Sequence, residues 1–205
     1  DSNIKLFENY HQIKEVEKEI GFPIKYTYEH HKMTIGAKRN KLTKLASHKI
    51  CANMDSDDYY FPTWLSHSMD VMNSDPKCTL VGTKGMVFVF PKDNFKITGI
   101  ECYDKRMIHE SGMLYTKKHH RSMGGFKKSS QGEGVGMIDF NENKCLCTDA
   151  EKVIVCICHN GNTIPKDRFI DKDIGADPMG GPIADVIRKI LGIPDFKLLN
   201  YQFKT

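Results

Sequence analysis

Lys49-Ile50-Cys51-Ala52-Asn53-Met54-Asp55-Ser56-Asp57-Asp58-Tyr59-Tyr60-Phe61-Pro62 is the stretch on which the fold turns. A short apolar strand, Lys49 to Met54, runs straight into three carboxylates within four residues. Charges this close repel one another and add nothing to a core, so their place is the rim of a sheet. At the carboxyl end of a strand in an open α/β sheet they stand where ligands bind. Grouped carboxylates there make a hard-oxygen site for Mg2+ or Mn2+, with diphosphate oxygens completing the shell. The same residues equally suit a solvated acidic turn capping the helix that follows Pro62.

Upstream lies Thr34-Ile35-Gly36-Ala37-Lys38-Arg39-Asn40. A Gly before a helix, followed by Lys and Arg, can set backbone N–H groups and cations against phosphate. One helix and one strand separate it from the acidic cluster, so both reach the same sheet edge. The helix is expected from about Ala37 to His48, with Leu42, Leu45 and Ala46 inward. Before it, Ile4, Phe7, Tyr10, Ile13, Val16 and Ile20 recur at steps of three or four, the signature of an amphipathic helix over 4–20. Gly21 and Pro23 stop that helix, and Ile24 to Tyr28 alternates like a strand.

Downstream, Thr63 to Asn73 reads as a helix closed by a Ser-Asp-Pro turn. Residues 79–90 are strand-like, interrupted by Gly82 and Gly85. Residues 95–109 suggest a strand or hairpin, and Met113-Leu114-Tyr115 another strand. The Gly/Ser/Lys/His-rich stretch from Lys117 to Gly136 lacks periodicity and reads as loops on the functional face. Val153 to Cys158 is a very apolar strand ended by His159-Asn160-Gly161-Asn162, and Ile183 to Leu191 is a last helix. Strands alternating with helices argue an α/β layered domain with a largely parallel sheet.

With 205 residues, 40% of them hydrophobic and 27% charged, the chain fits one globular domain and excludes the disordered, collagen-like and coiled-coil classes. Lys and Arg number 30 against 26 Asp and Glu, a net charge of +4 that falls short of a dedicated nucleic-acid binder. No apolar run approaches the ~20 residues of a membrane helix. Nor does the start resemble a signal peptide. Seven cysteines, an odd number, point to free thiols in a reducing compartment. The expectation is a cytoplasmic protein with neither a membrane span nor a nucleic-acid partner.

The Gly36-to-Asn40 segment, taken with Asp55-Ser56-Asp57-Asp58-Tyr59-Tyr60-Phe61-Pro62, resembles the nucleotide-sugar-binding half of GT-A-fold glycosyltransferases. The match is to the large family with a G-x-x-R-N segment and a D-x-D-D-x-x-x-P segment. The resemblance implies a GT-A-like mixed, mostly parallel central sheet flanked by helices, one domain over 1–205 with a C-terminal helix and tail from 180. It implies a metal-dependent transferase that moves a sugar from a nucleoside diphosphate, by default UDP, to a hydroxyl on a glycan or glycoprotein acceptor. Asp57 and Asp58 would hold Mn2+ or Mg2+ and the diphosphate, and Asp55 would face the ribose or base. Lys38, Arg39 and Asn40 would line the nucleotide pocket.

Two later segments extend the likeness. Gly132-Glu133-Gly134 is similar to the family's G-E-D motif, with Gly134 in place of the second acid, which leaves Glu133 and then Asp139 as carboxylates for an acceptor base. His159-Asn160-Gly161-Asn162-Thr163 resembles an H-x-x-N-T ending whose His completes the metal shell or contacts the diphosphate. At the front, Asp1-Ser2-Asn3 looks like the tail of a strand motif, as though the first βαβ unit were missing or reduced.

Two rival readings stand beside this one. Cys145-x-Cys147 and Cys156-x-Cys158-His159 offer four thiolates, or three plus His159, to zinc, although alternate residues of a strand share one face and buried cysteines are common core residues. The chain would then be a non-catalytic nucleotide- or zinc-binding α/β module of a larger protein. The basic run Lys117-Lys118-His119-His120-Arg121 with Lys127-Lys128 reads as a solvated loop or a lid over donor phosphates.

Overall fold

The two most apolar runs of the chain, 86–90 and 153–158, lie side by side at the middle of one of two four-stranded sheets. The computed structural model describes residues 5–93, 95–101, 108–138 and 144–170. Its elements in chain order are α1 (Tyr10–Ile20), α2 (Ile35–Leu45), β1 (Ile50–Ala52), β2 (Tyr59–Tyr60), α3 (Trp64–Asn73), β3 (Leu80–Thr83), β4 (Gly85–Phe90), β5 (Lys96–Glu101), β6 (Leu114–Thr116), α4 (Lys117–Ser122), β7 (Cys145–Thr148) and β8 (Ile154–Ile157). The first sheet has the order β1-β6-β3-β7 and the second β2-β8-β4-β5. Lys84 alone separates β3 from β4. Because β7 pairs with β3 in parallel and β8 pairs with β4 in parallel, two long tracks pass from one sheet into the other.

The mixed α/β architecture is the expected one, but parallel pairing does not dominate it. Among the described residues, β1/β6, β3/β6, β2/β8 and β4/β5 are antiparallel, and only β3/β7 and β4/β8 are parallel. The short edge strands β1 and β2 make two of these antiparallel pairs, and both flank the acidic segment.

Alternation along the strands sorts the core. On one side of the first sheet, Val81 and Leu114 pack with Met72 of α3 and Cys78. On the other, Cys51, Leu80 and Tyr115 meet Met113, Phe126 and Met137. The second sheet divides likewise, with Val87, Val89 and Val155 on one side and Met86, Phe88 and Cys156 on the other. Each such fully covered side chain contributes about 1.5–3 kcal/mol of transfer free energy.

Several expectations are corrected. α1 begins at Tyr10, capped by the Asn9 side chain, and none of its residues is buried. Of its apolar stripe, Tyr10 and Ile20 are exposed and Ile13 and Val16 only half-buried, and Leu6 and Phe22 on either side of the helix are exposed too. Ile24 to Tyr28 joins neither sheet despite its alternation; the segment lies instead along 6–7, where the Phe7 and Tyr26 rings meet edge to face at 5.1 Å. In α2 the buried positions are Gly36, Arg39 and Thr43, while Leu42 points outward. Lys117 to Ser122 is helix rather than loop, started by the Thr116 hydroxyl accepting the His119 N–H. Asp1-Ser2-Asn3, Asp139, the expected helix at 183–191 and the tail from 180 lie outside the described residues. No helix of the described residues is long and apolar enough to cross a membrane.

Candidate functional site

The acidic segment 53–58 connects β1, an edge of the first sheet, to β2, an edge of the second. Its carboxylates are therefore drawn in different directions. Asp55 turns to α2, where the Arg39 guanidinium meets it with both terminal nitrogens at 3.1 Å. Arg39 Nε donates to Glu133 Oε1, also at 3.1 Å. Arg39 and Glu133 are both buried, while the Asp55 side chain keeps 30% of its surface. Burial alone would pull the Arg39 pKa down, but Asp55 and Glu133 outweigh it and drive it up, so the guanidinium stays charged.

Tyr60 fixes the backbone beneath. Its hydroxyl accepts the Asp55 N–H at 2.8 Å and donates to the Ser111 carbonyl at 2.8 Å. Burial and the nearby Asp55 charge push its ionisation far upward, so it acts as a neutral bridge. Asn53 braces the same loop, its N–H to the Met113 carbonyl and its amide to the Glu110 carbonyl.

Asp57 and Asp58 face the second sheet. Asp57 Oδ2 lies 3.2 Å from His159 Nε2 and accepts from the Asn162 side chain at 3.2 Å. Asp58 Oδ1 accepts the Ile157 N–H at the end of β8. Burial, reinforced by the charge of Asp57, raises the Asp58 carboxyl to about 7, with the Ile157 N–H opposing the rise. His159 is set by its own turn: its N–H donates to Asn162 Oδ1, and its Nδ1 accepts the Gly161 N–H. Beside it opens a depression lined by Phe90, Lys92, Cys158, Asn160 and Lys166.

The donor set suits a hard divalent cation in part. Asp57 and His159 converge, while burial and the Asp57 charge favour the neutral form of the Asp58 carboxyl beside them. Among the described residues, however, no group of three or more His, Cys, Asp or Glu gathers on one point. Two protein ligands leave the remaining positions to water or phosphate oxygens, as suits a cation held jointly with a substrate.

Other expected residues take different places. The first N–H groups of α2 are not open to phosphate: Ile35 donates to Ser130 Oγ, Gly36 to the Ser129 carbonyl and Ala37 to Thr34 Oγ1. Gly36 is needed for close approach, since a Cβ there would overlap the Lys127 carbonyl. Asn40, expected in the nucleotide pocket, instead clamps a turn. Its amide donates to the Phe126 carbonyl, and its Oδ1 takes the Phe126 N–H and faces His120 Nε2 at 2.7 Å. Lys38 occupies the first turn of α2, half-buried. Glu133, expected as an acceptor base, is a buried partner of Arg39. The basic run is no lid: His119 is buried, bridging Thr79 Oγ1 at 2.8 Å and the Met137 carbonyl at 2.6 Å.

The thiols do not assemble a zinc centre among the described residues. Cys145 and Cys147 belong to the first sheet and Cys156 to the second. The Cys156 thiol is pushed well up by its contact with Cys158 and by burial, the reverse of what a thiolate ligand needs. Tyr60, Asn162 and Glu110 are the polar groups that motif reading left out. Asn162 stands inside the H-x-x-N-T segment and Tyr60 at an unspecified position of D-x-D-D-x-x-x-P, whereas nothing in the sequence around Glu110 marks it.

The sequence model described as "Glycosyl transferase family 2" matches residues 8–129, a span that holds Arg39 and all three acids of the 55–58 segment and ends before Glu133 and His159. Among solved structures the chain is similar to "Mannosyltransferase PcManGT from Pyrobaculum calidifontis in complex with GDP-Man and Mn2+", at 14% identity and a TM-score of 0.51. The likeness covers 76% of this chain and 44% of that one, so the chain spans less than half the length of this neighbour. At that identity it establishes the fold, which is GT-A. No curated protein matches the chain.

Proposed function

The chain belongs to glycosyl transferase family 2, and from that premise we propose that it transfers a sugar from a nucleoside-diphosphate donor to a hydroxyl acceptor with the help of a divalent cation. One observation carries the reading: Asp57 and His159, far apart in sequence, meet at 3.2 Å one step from the Arg39-held Asp55. In this reading Asp57 and His159 hold Mn2+ or Mg2+, with Asp58 beside them. When bound, the cation supplies Lewis-acid neutralisation of the charge that develops on the leaving diphosphate.

The remaining work belongs to the chain itself. Arg39 spends its donors on Asp55 and Glu133, so it orients Asp55 rather than gripping phosphate. Asp55, with each oxygen keeping a free lone pair, accepts hydrogen bonds from the ribose hydroxyls. Glu133 holds Arg39 from behind and serves as a positioning residue. The resemblance favours a UDP-sugar, while the solved neighbour carries GDP-Man, so both nucleotides belong in the test. The acceptor is a glycan hydroxyl.

The test is a thermal-shift titration with UDP and with GDP, each with and without Mn2+. A nucleotide that binds only the folded state must raise Tm by mass action. The expected result is a Mn2+-dependent rise for one nucleotide that disappears in Asp57→Ala, a partly exposed position whose loss spares the fold. No rise with either nucleotide defeats the proposal; a rise without release of nucleotide from a sugar donor reduces it to a binding module.

A further inference from the structure

Glu110 is a half-buried carboxylate that the mechanism above does not use. It opens a short 3-10 turn just before β6, and the Gly134 N–H donates to its Oε1 at 3.0 Å. The space it fills is the informative part. A Cβ built on Gly134 would overlap Glu110 Cγ and come within 3.1 Å of its carboxyl carbon. Glu110 thus occupies the volume that any side chain at position 134 would enter. Gly134 is also where an acidic residue is expected by likeness to the G-E-D segment, and here it has no side chain at all.

We propose that Glu110 is the acceptor base of this enzyme, delivered from the turn before β6 into the place left empty by Gly134. The inference rests on the transfer reading given above. Glu133 and Arg39 act on its charge, and Arg39 in turn links Glu133 to Asp55. Burial first, and the Glu133 charge second, raise the Glu110 carboxyl above its ordinary range, while its own backbone N–H, the Gly134 N–H and Arg39 hold it back. Such a carboxylate is a stronger base than one in water.

The step balances as a single displacement. The acceptor hydroxyl gives its proton to the Glu110 carboxylate as its oxygen bonds to the anomeric carbon. The bond from that carbon to the donor phosphate oxygen breaks, and its electron pair leaves with the nucleoside diphosphate. The anomeric configuration inverts.

The experiment measures nucleotide released from UDP-glucose and GDP-mannose with Mn2+ and a panel of sugar acceptors, in wild type, Glu110→Gln, Glu110→Ala and Glu110→Ala/Gly134→Asp. Glu110→Gln keeps the shape and the bond from Gly134, so it should stay folded and keep the nucleotide-induced Tm shift. Its kcat should fall by about 100-fold or more, with donor KM within about threefold of wild type. The double variant puts an acid back at 134 in the vacated space and should recover roughly tenfold or more over Glu110→Ala, the reciprocal exchange that a packing role alone would not produce. A Glu110→Gln enzyme that keeps kcat within about threefold overturns the assignment, as does a folded double variant no faster than Glu110→Ala. Wild type that neither binds nor releases nucleotide brings down the transfer reading and this one together; active wild type with an indifferent Glu110 brings down this one alone.

Discussion

Replacing Arg39 by Met should be among the costliest single changes outside the apolar core. The side chains of Arg39 and Glu133 retain only 8% and 5% of their surface, so Glu133 without its partner is a carboxylate stranded away from water. Removing one member of such a buried pair costs about 3–5 kcal/mol. Asp55 also loses its partner, but at 30% exposure it rehydrates and adds at most about 1 kcal/mol. For a domain of this size each kcal/mol moves Tm by about 2–4 °C, so Arg39→Met should lower it by roughly 6–20 °C. Glu133→Gln is milder, because the amide oxygen still accepts from Nε and Asp55 still neutralises the guanidinium; about 1–2 kcal/mol is expected. In Arg39→Met/Glu133→Leu both ions are gone, and an apolar pair of similar volume in a buried site is close to neutral. Closed with Glu133→Leu as the second single variant, the cycle should therefore show a coupling of at least about 2 kcal/mol. Urea unfolding followed by fluorescence measures it, since Trp64 is the only tryptophan and is 2% exposed. A single-variant cost under about 1 kcal/mol, or a double variant equal to the sum of the singles, would refute the buried-pair account.

Two further outcomes test the surroundings of the site. Gly36→Ala would gain up to about 1 kcal/mol of helix propensity in an open helix; here the methyl meets the Lys127 carbonyl, so a loss of about 1–3 kcal/mol is expected and a rise in Tm contradicts the packing. His109 has its pKa lowered to about 4 by burial, with a lesser push from Lys166. Its folded value lies below the unfolded one, so its contribution to stability is complete above about 6.5 and drains away as pH falls toward 4, at up to about 1.4 kcal/mol per unit. Denaturation midpoints at pH 7, 5.5 and 4.5 should fall less steeply in His109→Gln than in wild type, and parallel slopes contradict it.

The parts of the fold that were legible in the sequence are those whose hydrophobic pattern and partner agree. The helix at Thr63–Asn73 and the strand at 153–158 appear within a residue of their expected ends, because each buries the side its pattern marks. Ile24–Tyr28 alternates as cleanly but joins no sheet, and alternation without a neighbouring strand makes only an extended chain. The helix at Lys117–Ser122 carries no apolar stripe to read. It is held by the Thr116 cap and by two buried histidines whose partners, Thr79, Met137 and Asn40, are distant in sequence. The site divides in the same manner. Asp57 and His159 were visible through paired motifs, and the β2/β8 register at Tyr59↔Val155 and Tyr60↔Ile154 explains how they meet. Glu110 was invisible because its mark is a side chain missing elsewhere, at Gly134. Arg39 was expected in the nucleotide pocket, yet its bonds run to carboxylates rather than outward, and only the buried Glu133 reveals that.

The six residues between Ala52 and Tyr59 explain why the acidic segment is rigid enough to serve as a site. Asn53 is tied to Met113 and Glu110 beside the first sheet, and Asp55 to Arg39 and Tyr60. Asp57 and Asp58 are tied to His159, Asn162 and Ile157 at the end of β8 in the second. Asp55 is thus positioned by α2 and by Tyr60 of β2, and Asp57 and Asp58 by the turn at the end of β8. On the proposed reading, the ribose is read from the α2 side and the cation from the end of β8. A donor must then span the junction to touch both. Loosening the His159 turn would weaken the hold on the cation while leaving Asp55 on Arg39, so the two halves of donor binding are separable by mutation even though the three acids lie within four residues.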